Sequence, residues 1–559
     1  MKKNVLNIAA ILIALFGAGF GIGCLISLIS SKKGTLSDGE YHVTVCATTD
    51  VHGAVFDSAY VDGQVNRSSM SHVSAYLKEL RAAGVEPVLI DVGDNLQGDN
   101  AVYYFNYVAT DVPHIMPRIA SYLDYDAVVV GNHDIETGHD VYDRIARELK
   151  MPYLAANTGL DRDENGVADM DEDPGNKLVT DSYFQPYCVV KRGGVKVAVV
   201  GMTNANMKSW LSPSYWHGMD FQLIHDMAQR LIDKVIAKEH PQLLVLAVHS
   251  GTGTDLPDRE NEALYLASTL EHVDLVLNGH DHRPLAKEVD NPHGSVVLLD
   301  EGTKALYVGQ ADFTLRVKNG KLVERNVDYK LVPMEDYPAD PGYVAEFNDD
   351  FQAVKAFSSR PIGRLSADIA LADALEGPSS YVNLVQTVQL GASGADISFA
   401  APLSNRGVVP KGVIEFQDLV SIYRFENTLY VVGLTGRQIK DYLEYSYDNW
   451  VNRTDATYNW DSADGIRYEV SRSAAKGDRV RIFSMNDGTP FDLDKTYKVA
   501  MTSYRAAGGG DLLLKGAGVD PDSLVIYDKL KDIRSLIGDY IEEQGEIVPT
   551  VSTNWKFVK

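Results

Sequence analysis

Short apolar runs that each stop at a carboxylate, an amide or a histidine constrain this chain more than any other feature. Runs at 43–47 (VTVCA), 88–92 (VLIDV), 127–130 (AVVV), 195–200 (VKVAVV), 243–248 (LLVLAV) and 273–277 (VDLVL) are too short for helices and show almost no polar alternation. Segments of helical periodicity, such as 71–82 (SHVSAYLKELRA), separate them. The pattern predicts an α/β fold whose strands are covered on both faces.

The residues that close the strands predict chemistry. Asp50-Val51-His52 follows the first run, Gly93-Asp94-Asn95 the second and Gly131-Asn132-His133-Asp134 the third. His249-Ser250 and Gly279-His280-Asp281-His282 close two later ones. In α/β sheets, ligands bind outside the carboxyl ends of strands. Five strand ends therefore bring Asp50, His52, Asp94, Asn132, His249, His280 and His282 to one crevice. Such oxygen and nitrogen donors suit Zn, Mn or Fe. Seven exceed the need of one tetrahedral ion and fit two divalent ions ~3.5–4 Å apart. A lone histidine in any one motif would more often be a loop or core residue; five motifs in series, each directly after a strand, read as a metal centre. Gly53, Gly93, Gly131 and Gly279 let the backbone turn sharply beside the ions.

The series TTDVHG, GDNLQG, GNHD, AVHSG and NGHDH resembles the calcineurin-like metallophosphoesterase domain, and the chain after residue 40 resembles the 5′-nucleotidase/2′,3′-cyclic phosphodiesterase family. The resemblance implies an N-terminal four-layer αββα sandwich over 40–335, a linker with a connecting helix over 336–360, and a C-terminal α/β substrate-binding domain over 361–559. Prolines at 333, 338 and 341 agree with that division. So does an amphipathic stretch, 343–358, with Val344, Phe347, Phe351, Val354 and Phe357 at helical spacing. The resemblance also implies that Asp50, His52 and His282 hold one metal, that Asp94 bridges, and that Asn132, His249 and His280 hold the other. His133 falls at the family's catalytic histidine. Its acidic partner is expected three residues on, which here is Glu136 where an aspartate is more usual, and Asp134 is the nearer alternative. Two cations lower the pKa of a shared water and polarise phosphoryl oxygens; hydroxide then attacks phosphorus in line, and His133 stabilises or protonates the departing alkoxide.

A phosphate-hydrolysing centre needs no second domain as large as 361–559, so that domain is expected to select the substrate. Trp460 in YNWDSADGIRY and Tyr504 in SYRAAGGGD match the places where the family clamps a nucleobase between aromatic rings, a contact worth ~1–3 kcal/mol per base. Without that resemblance both read as core aromatics. Asn405 and Arg406 in APLSNRG resemble the family's nucleoside-contacting loop; Arg424 in YRFEN reads as easily as a structural residue. NLVQ, APLSNRG, IYRFENTLY and LEYSYDNW look more like the 2′,3′-cyclic-nucleotide 2′-phosphodiesterase/3′-nucleotidase branch than the 5′-nucleotidase branch. A 5′-nucleotidase and a nucleotide-sugar or dinucleotide pyrophosphatase are the alternatives that keep the same centre. A non-catalytic surface binding protein is the alternative outside enzymology, and the filled ligand set argues against it.

Lys2 and Lys3 ahead of an apolar run from Val5 to about Ile29 predict a signal peptide or signal anchor over 1–33. The enzyme is then extracytoplasmic, either secreted or touching the membrane through that segment alone. A net charge of −25 argues against nucleic-acid polymers as partners, while small nucleotides stay open because bound cations supply local positive charge. Nothing in the sequence specifies an oligomer. Cys46 and Cys188 read as buried thiols, with a single bridge as the alternative. Residues 161–172 (DRDENGVADMDE) fit the calcium-loop spacing, with Asp161, Asp163, Asn165, Asp169 and Glu172 as oxygen ligands. Ala168 and Pro174 depart from that pattern, and an acidic solvent loop is the alternative.

Overall fold

The computed structural model describes residues 36–559 apart from 60–64, 164–168, 170–180, 212 and 426. The export or anchor segment expected over 1–33 therefore lies outside the described residues; among those described, no helix is long and apolar enough to cross a membrane.

Two six-stranded sheets make the first domain. One has the order Lys321–Pro333, Tyr307–Lys318, Gly39–Thr48, Val88–Asp91, Ala127–Val129, Tyr153–Leu154. Its first two pairings are antiparallel and its last three parallel. The other runs Leu285–Val289, Val296–Asp300, Leu275–Asn278, Leu243–His249, Val195–Thr203, Tyr187–Arg192, parallel in its three central pairings.

The continuous apolar runs follow from where these strands lie. Side chains alternate across a strand, so Leu243, Val245 and Ala247 enter the core between the sheets, beside Val45, Ile90 and Val129. Leu244, Leu246 and Val248 point the other way, onto Met227, Leu231 and Val235 of the helix Ile224–Glu239. The outer face of the first sheet likewise packs Leu89 and Val128 against Val73 and Leu77 of Met70–Ala82. Each fully buried aliphatic contributes ~1.5–3 kcal/mol relative to exposure. Two sheets, each covered outside by helices, give the four-layer αββα sandwich. Cys46 and Cys188 are both free thiols, Cys46 buried and Cys188 partly so.

The second domain is built on a five-stranded sheet ordered Ser462–Asp464, Ile397–Ala400, Thr496–Thr502, Thr428–Thr435, Ile526–Asp532. Gly436–Asn452 covers one face, and Ser380–Ser393 with Ile533–Gln544 the other. Thr435 and Gln438 start Gly436–Asn452 with a reciprocal capping box.

The connecting segment departs from the expected single helix. It is two helices, Pro341–Glu346 and Asn348–Ser358, separated at Phe347, whose φ/ψ of −102°/14° interrupts the helical ladder. The physical reason is in the side chains: Tyr343, Phe347 and Val354 are drawn into the first domain's outer core, while Phe357 continues to the junction, 4.4 Å from the ring of Phe416. Val344, placed on the apolar stripe by the sequence, is exposed. Tyr215 Oη and Thr428 Oγ1, 2.9 Å apart, also tie the two domains together.

Candidate active site

All seven donors expected from the sequence sit at, or just beyond, the carboxyl end of a strand, and the backbone there is bent unusually. Asp50, His52, Asp94, His280 and His282 have φ between 48° and 87°, a region that costs an L-residue roughly 1–2 kcal/mol. Sequence reasoning gave the sharp turns to glycines; these five residues make them as well. Gly131 and Gly279 are needed for close approach. A Cβ on Gly131 would lie 2.1 Å from Asp94 Oδ1, and one on Gly279 2.5 Å from Asp50 Oδ2.

The donors form two groups. Candidate ligand atoms of Asp50, His52 and His282 lie within 4.8 Å of one another, as do those of Asp94, His249 and His280. In the first group His52 Nε2 and His282 Nε2 face each other at 3.0 Å. Asp50 Oδ1 stands 3.7 Å from the first and 3.2 Å from the second. Asp50 is fully buried and among the described residues its Oδ1 has no hydrogen-bond partner, a costly state for a carboxylate unless a cation takes the oxygen. His52 Nδ1 donates to the Gln97 carbonyl at 2.8 Å, which leaves Nε2 with its lone pair turned inward.

In the second group His249 Nε2 lies 3.1 Å from both Asp94 Oδ2 and Asn132 Oδ1, and its Nδ1 donates to the Val92 carbonyl at 2.8 Å. His280 Nδ1 is 2.8 Å from Asn132 Oδ1. Burial would raise the Asp94 carboxyl, yet the imidazoles of His249 and His133 hold it well below the usual range. Converging lone pairs, an orphaned carboxylate oxygen and carbonyls that fix the histidine tautomers make a donor set that fits two divalent cations.

Beside these groups His133 Nδ1 meets Glu136 Oε2 at 2.6 Å. Burial lowers the proton affinity of His133, but the charges of Asp94 and Glu136 outweigh it and raise its pKa to about 9. Asp134, the nearer acid in sequence, has another occupation. Its buried carboxylate accepts the backbone N–H groups of Asp94, Asn95, Leu96 and Gly131 at 2.8–3.2 Å, so it fastens two strand-end loops together and is spent before it can reach His133. Gln97, which sequence reasoning passed over, places its amide 3.4 Å from Glu136 Oε2. It thus links the His52 side of the centre to the dyad.

A cavity of about 620 Å³ opens from this centre to the second domain. Asn132, His133, Glu136 and His280 line one end; Phe425, Tyr458 and Tyr504 line the other.

Comparison with known proteins places the chain. Residues 43–284 match the calcineurin-like phosphoesterase model, and 361–515 match the 5′-nucleotidase, C-terminal domain model. The chain belongs to the phosphoesterase family that joins these two domains. A 2′,3′-cyclic-nucleotide 2′-phosphodiesterase/3′-nucleotidase of Haemophilus influenzae is 24% identical, across 95% of this chain and 90% of its own. A 5′-nucleotidase of Vibrio vulnificus is also 24% identical, across 85% and 86%. The structure of a 5′-nucleotidase precursor from Thermus thermophilus superposes with a TM-score of 0.62 at 22% identity, covering 93% of this chain and 99% of that one. The protein is a phosphoric ester hydrolase.

The substrate end of this phosphoesterase corrects the sequence reading. Trp460 is 3% exposed and stacks on Trp450 inside the core, with ring centroids 5.8 Å apart, and does not line this cavity. Tyr458, two residues earlier in the same YNW motif, is 41% exposed and does line it. The motif offered two rings, and only the fold shows which one the turn at Thr457–Asn459 aims inward. Tyr504 lines the cavity as expected from its motif. Asn405, Arg406 and Arg424 are exposed and absent from the lining; the Arg424 guanidinium rests over the Phe425 ring at 5.5 Å. Glu260 and Trp210 border the metal-binding end unannounced by any motif: Glu260 Oε1 is 3.2 Å from His280 Nε2, and Trp210 stacks on the His280 ring. In the calcium-loop segment, Asn165 and Glu172 lie outside the described residues, Asp161 is buried, and Asp169 and Asp181 pair with Arg162.

Proposed function

We propose that this phosphoesterase hydrolyses nucleotides, with 2′,3′-cyclic nucleotides and 3′-nucleotides as its principal substrates. One observation carries the reading: a single cavity is lined by Asn132 and His280 of the metal-binding groups, with His133 and Glu136, at one end and by Tyr458 and Tyr504 at the other. A phosphoester in contact with the first and a base between the second is the geometry of a nucleotide. Relatives named for cyclic-nucleotide and 3′-nucleotide hydrolysis, matched over nearly the whole chain, support the choice of phosphoester.

In this reading Asp50, His52 and His282 would hold one divalent cation of the Zn, Mn or Fe kind, and Asp94, Asn132, His249 and His280 the other, with Asp94 between them. Bound there, the pair would supply Lewis-acid polarisation of the phosphoryl oxygens and a water of lowered pKa. The protein's own groups do the rest. Glu136 holds the Nδ1 proton of His133 and keeps the ring charged, so that Nε2 delivers a proton to the leaving alkoxide. Tyr458 and Tyr504 take the base, a contact worth ~1–3 kcal/mol. The N-terminal segment would place the enzyme outside the cytoplasm.

A product profile tests this. Purified enzyme given 2′,3′-cAMP, 3′-AMP and 5′-AMP should convert the first two and leave 5′-AMP largely intact. Preferential release of phosphate from 5′-AMP would transfer the assignment to the 5′-nucleotidase branch, and release of nucleoside monophosphate from a nucleotide-sugar would transfer it to a pyrophosphatase.

A further inference from the structure

We infer that Arg505 is the positioning residue of the base subsite: its guanidinium staples together the two loops that present Tyr458 and Tyr504 and so sets the gap between those rings. The inference rests on the nucleotide reading above.

Arg505 is 3% exposed, although it borders the cavity. Its Nε and Nη2 donate to Asp461 Oδ2 and Oδ1 at 3.0 and 2.9 Å. Nη1 donates to Asn459 Oδ1 at 2.8 Å and to the Gly509 carbonyl at 2.9 Å, and Nη2 also donates to the Tyr458 carbonyl. A guanidinium has five N–H donors, and all five are engaged. None is left for a ligand, so Arg505 acts on a substrate only through what it holds.

What it holds is specific. Tyr458, Asn459 and Asp461 lie on one loop, and Gly509 lies just beyond Tyr504 on the other. Asp461 is itself fixed to the core: Tyr442 Oη donates to its carboxylate, and Ser446 Oγ to its carbonyl at 2.8 Å, both from Gly436–Asn452. The glycines complete the arrangement. A Cβ on Gly509 would lie 2.3–2.6 Å from three ring carbons of Tyr504, so bare backbone backs that ring. A Cβ on Gly510 would lie 2.5 Å from Asn459 Oδ1 and would wedge the loops apart. A lysine in place of Arg505 offers three donors from one point and cannot span both loops.

The test compares Arg505→Lys, Tyr504→Ala and parent on 2′,3′-cAMP and on bis-p-nitrophenyl phosphate, which carries no nucleobase. For Arg505→Lys the ratio of the two kcat/KM values should fall about tenfold or more, through a rise in nucleotide KM, and Tyr504→Ala should lower it comparably. If Tyr504→Ala lowers the ratio and Arg505→Lys stays within about twofold of parent, the staple is wrong. If Tyr504→Ala itself leaves the ratio unchanged, the base-stacking reading fails instead. Should Arg505→Lys not fold, Asn459→Ala removes one arm and spares the Asp461 pair. It should lower the ratio about threefold, and a parent-like ratio would overturn the staple.

Discussion

The two ends of the cavity are fastened in opposite ways. At the metal-binding end, donors from five strands are locked by the sheets, by backbone held at positive φ and by carbonyls of Gln97 and Val92. At the other end, aromatic rings ride on turns, and one buried arginine ties those turns to each other. The first end has many independent restraints, so removing an outer one blunts the chemistry without dismantling it. The second has few, and small changes there should redirect substrate choice while the phosphoesterase centre keeps working.

The largest effect should come from attacking the strongly held end. Asp94 sits between His249 and the backbone N–H of His133, and Asp94→Asn removes the charge that gathers them. The expected loss of turnover exceeds the ~10–100-fold typical of losing an outer partner of a metal ligand, with metal content by elemental analysis falling as well. A variant that keeps both would show that the two groups do not depend on Asp94.

His133→Ala should spare metal content yet cost ~10²–10⁴-fold on nucleotides, the usual share of a general acid. The loss should be far smaller on bis-p-nitrophenyl phosphate, whose phenolate departs without a proton. Equal losses on both would remove His133 from the leaving group. Glu136→Gln sharpens the same point through pH. Asp94 and Glu136 together raise His133, so the charged ring is present below about 9 and lost above it. Without the carboxylate the alkaline limb of kcat should move to lower pH; an unmoved limb would mean that another group sets it.

The weakly held end separates two neighbouring aromatics. Tyr458→Ala should raise nucleotide KM ~5- to 150-fold, the equivalent of one stacked base. Trp460→Leu should instead lower the melting temperature, because it opens space beneath Trp450, and should leave KM closer to parent. The reverse pattern would restore Trp460 to the site.

That contrast also explains what the sequence could and could not reveal. Asp50, His52, Asp94, Asn132, His249, His280 and His282 were legible because a strand end is a fixed place: chemistry written after an apolar run must appear at the carboxyl edge of the sheet. That both faces of the strands are covered was legible because 243–248 is apolar throughout; that two sheets share the cover was an implication of the family resemblance. The base end has no such rule. Tyr458 and Trp460 differ by two residues in a turn, and which of them is buried depends on how that turn packs on Trp450 of the preceding helix and on Arg505, which is distant in sequence. The choice between Asp134 and Glu136 likewise turned on which backbone N–H groups the fold offers Asp134. The break at Phe347 was invisible because the apolar spacing of the two helices remains in register across it.

A last, smaller effect tests how each end treats its buried acids. At the base end Asp461 is paired with Arg505. Behind the metal-binding end, Asp91 and Glu301 have no basic partner among the described residues; burial raises Asp91 to about 7 and Glu301 to about 8, and among those residues neither carboxyl oxygen of Glu301 has a hydrogen-bond partner. An unfolded glutamate releases its proton near 4.5, so between there and about 8 the native chain holds the extra proton. The stabilisation from Glu301 is therefore complete below the unfolded value and is lost as pH rises through the folded one. Glu301→Gln cannot ionise. In metal-free buffer its melting temperature should gain on the parent by a few degrees between pH 5 and pH 9. A difference that stays constant across that range would mean that Glu301 is already ionised in the native state and that burial does not hold its proton.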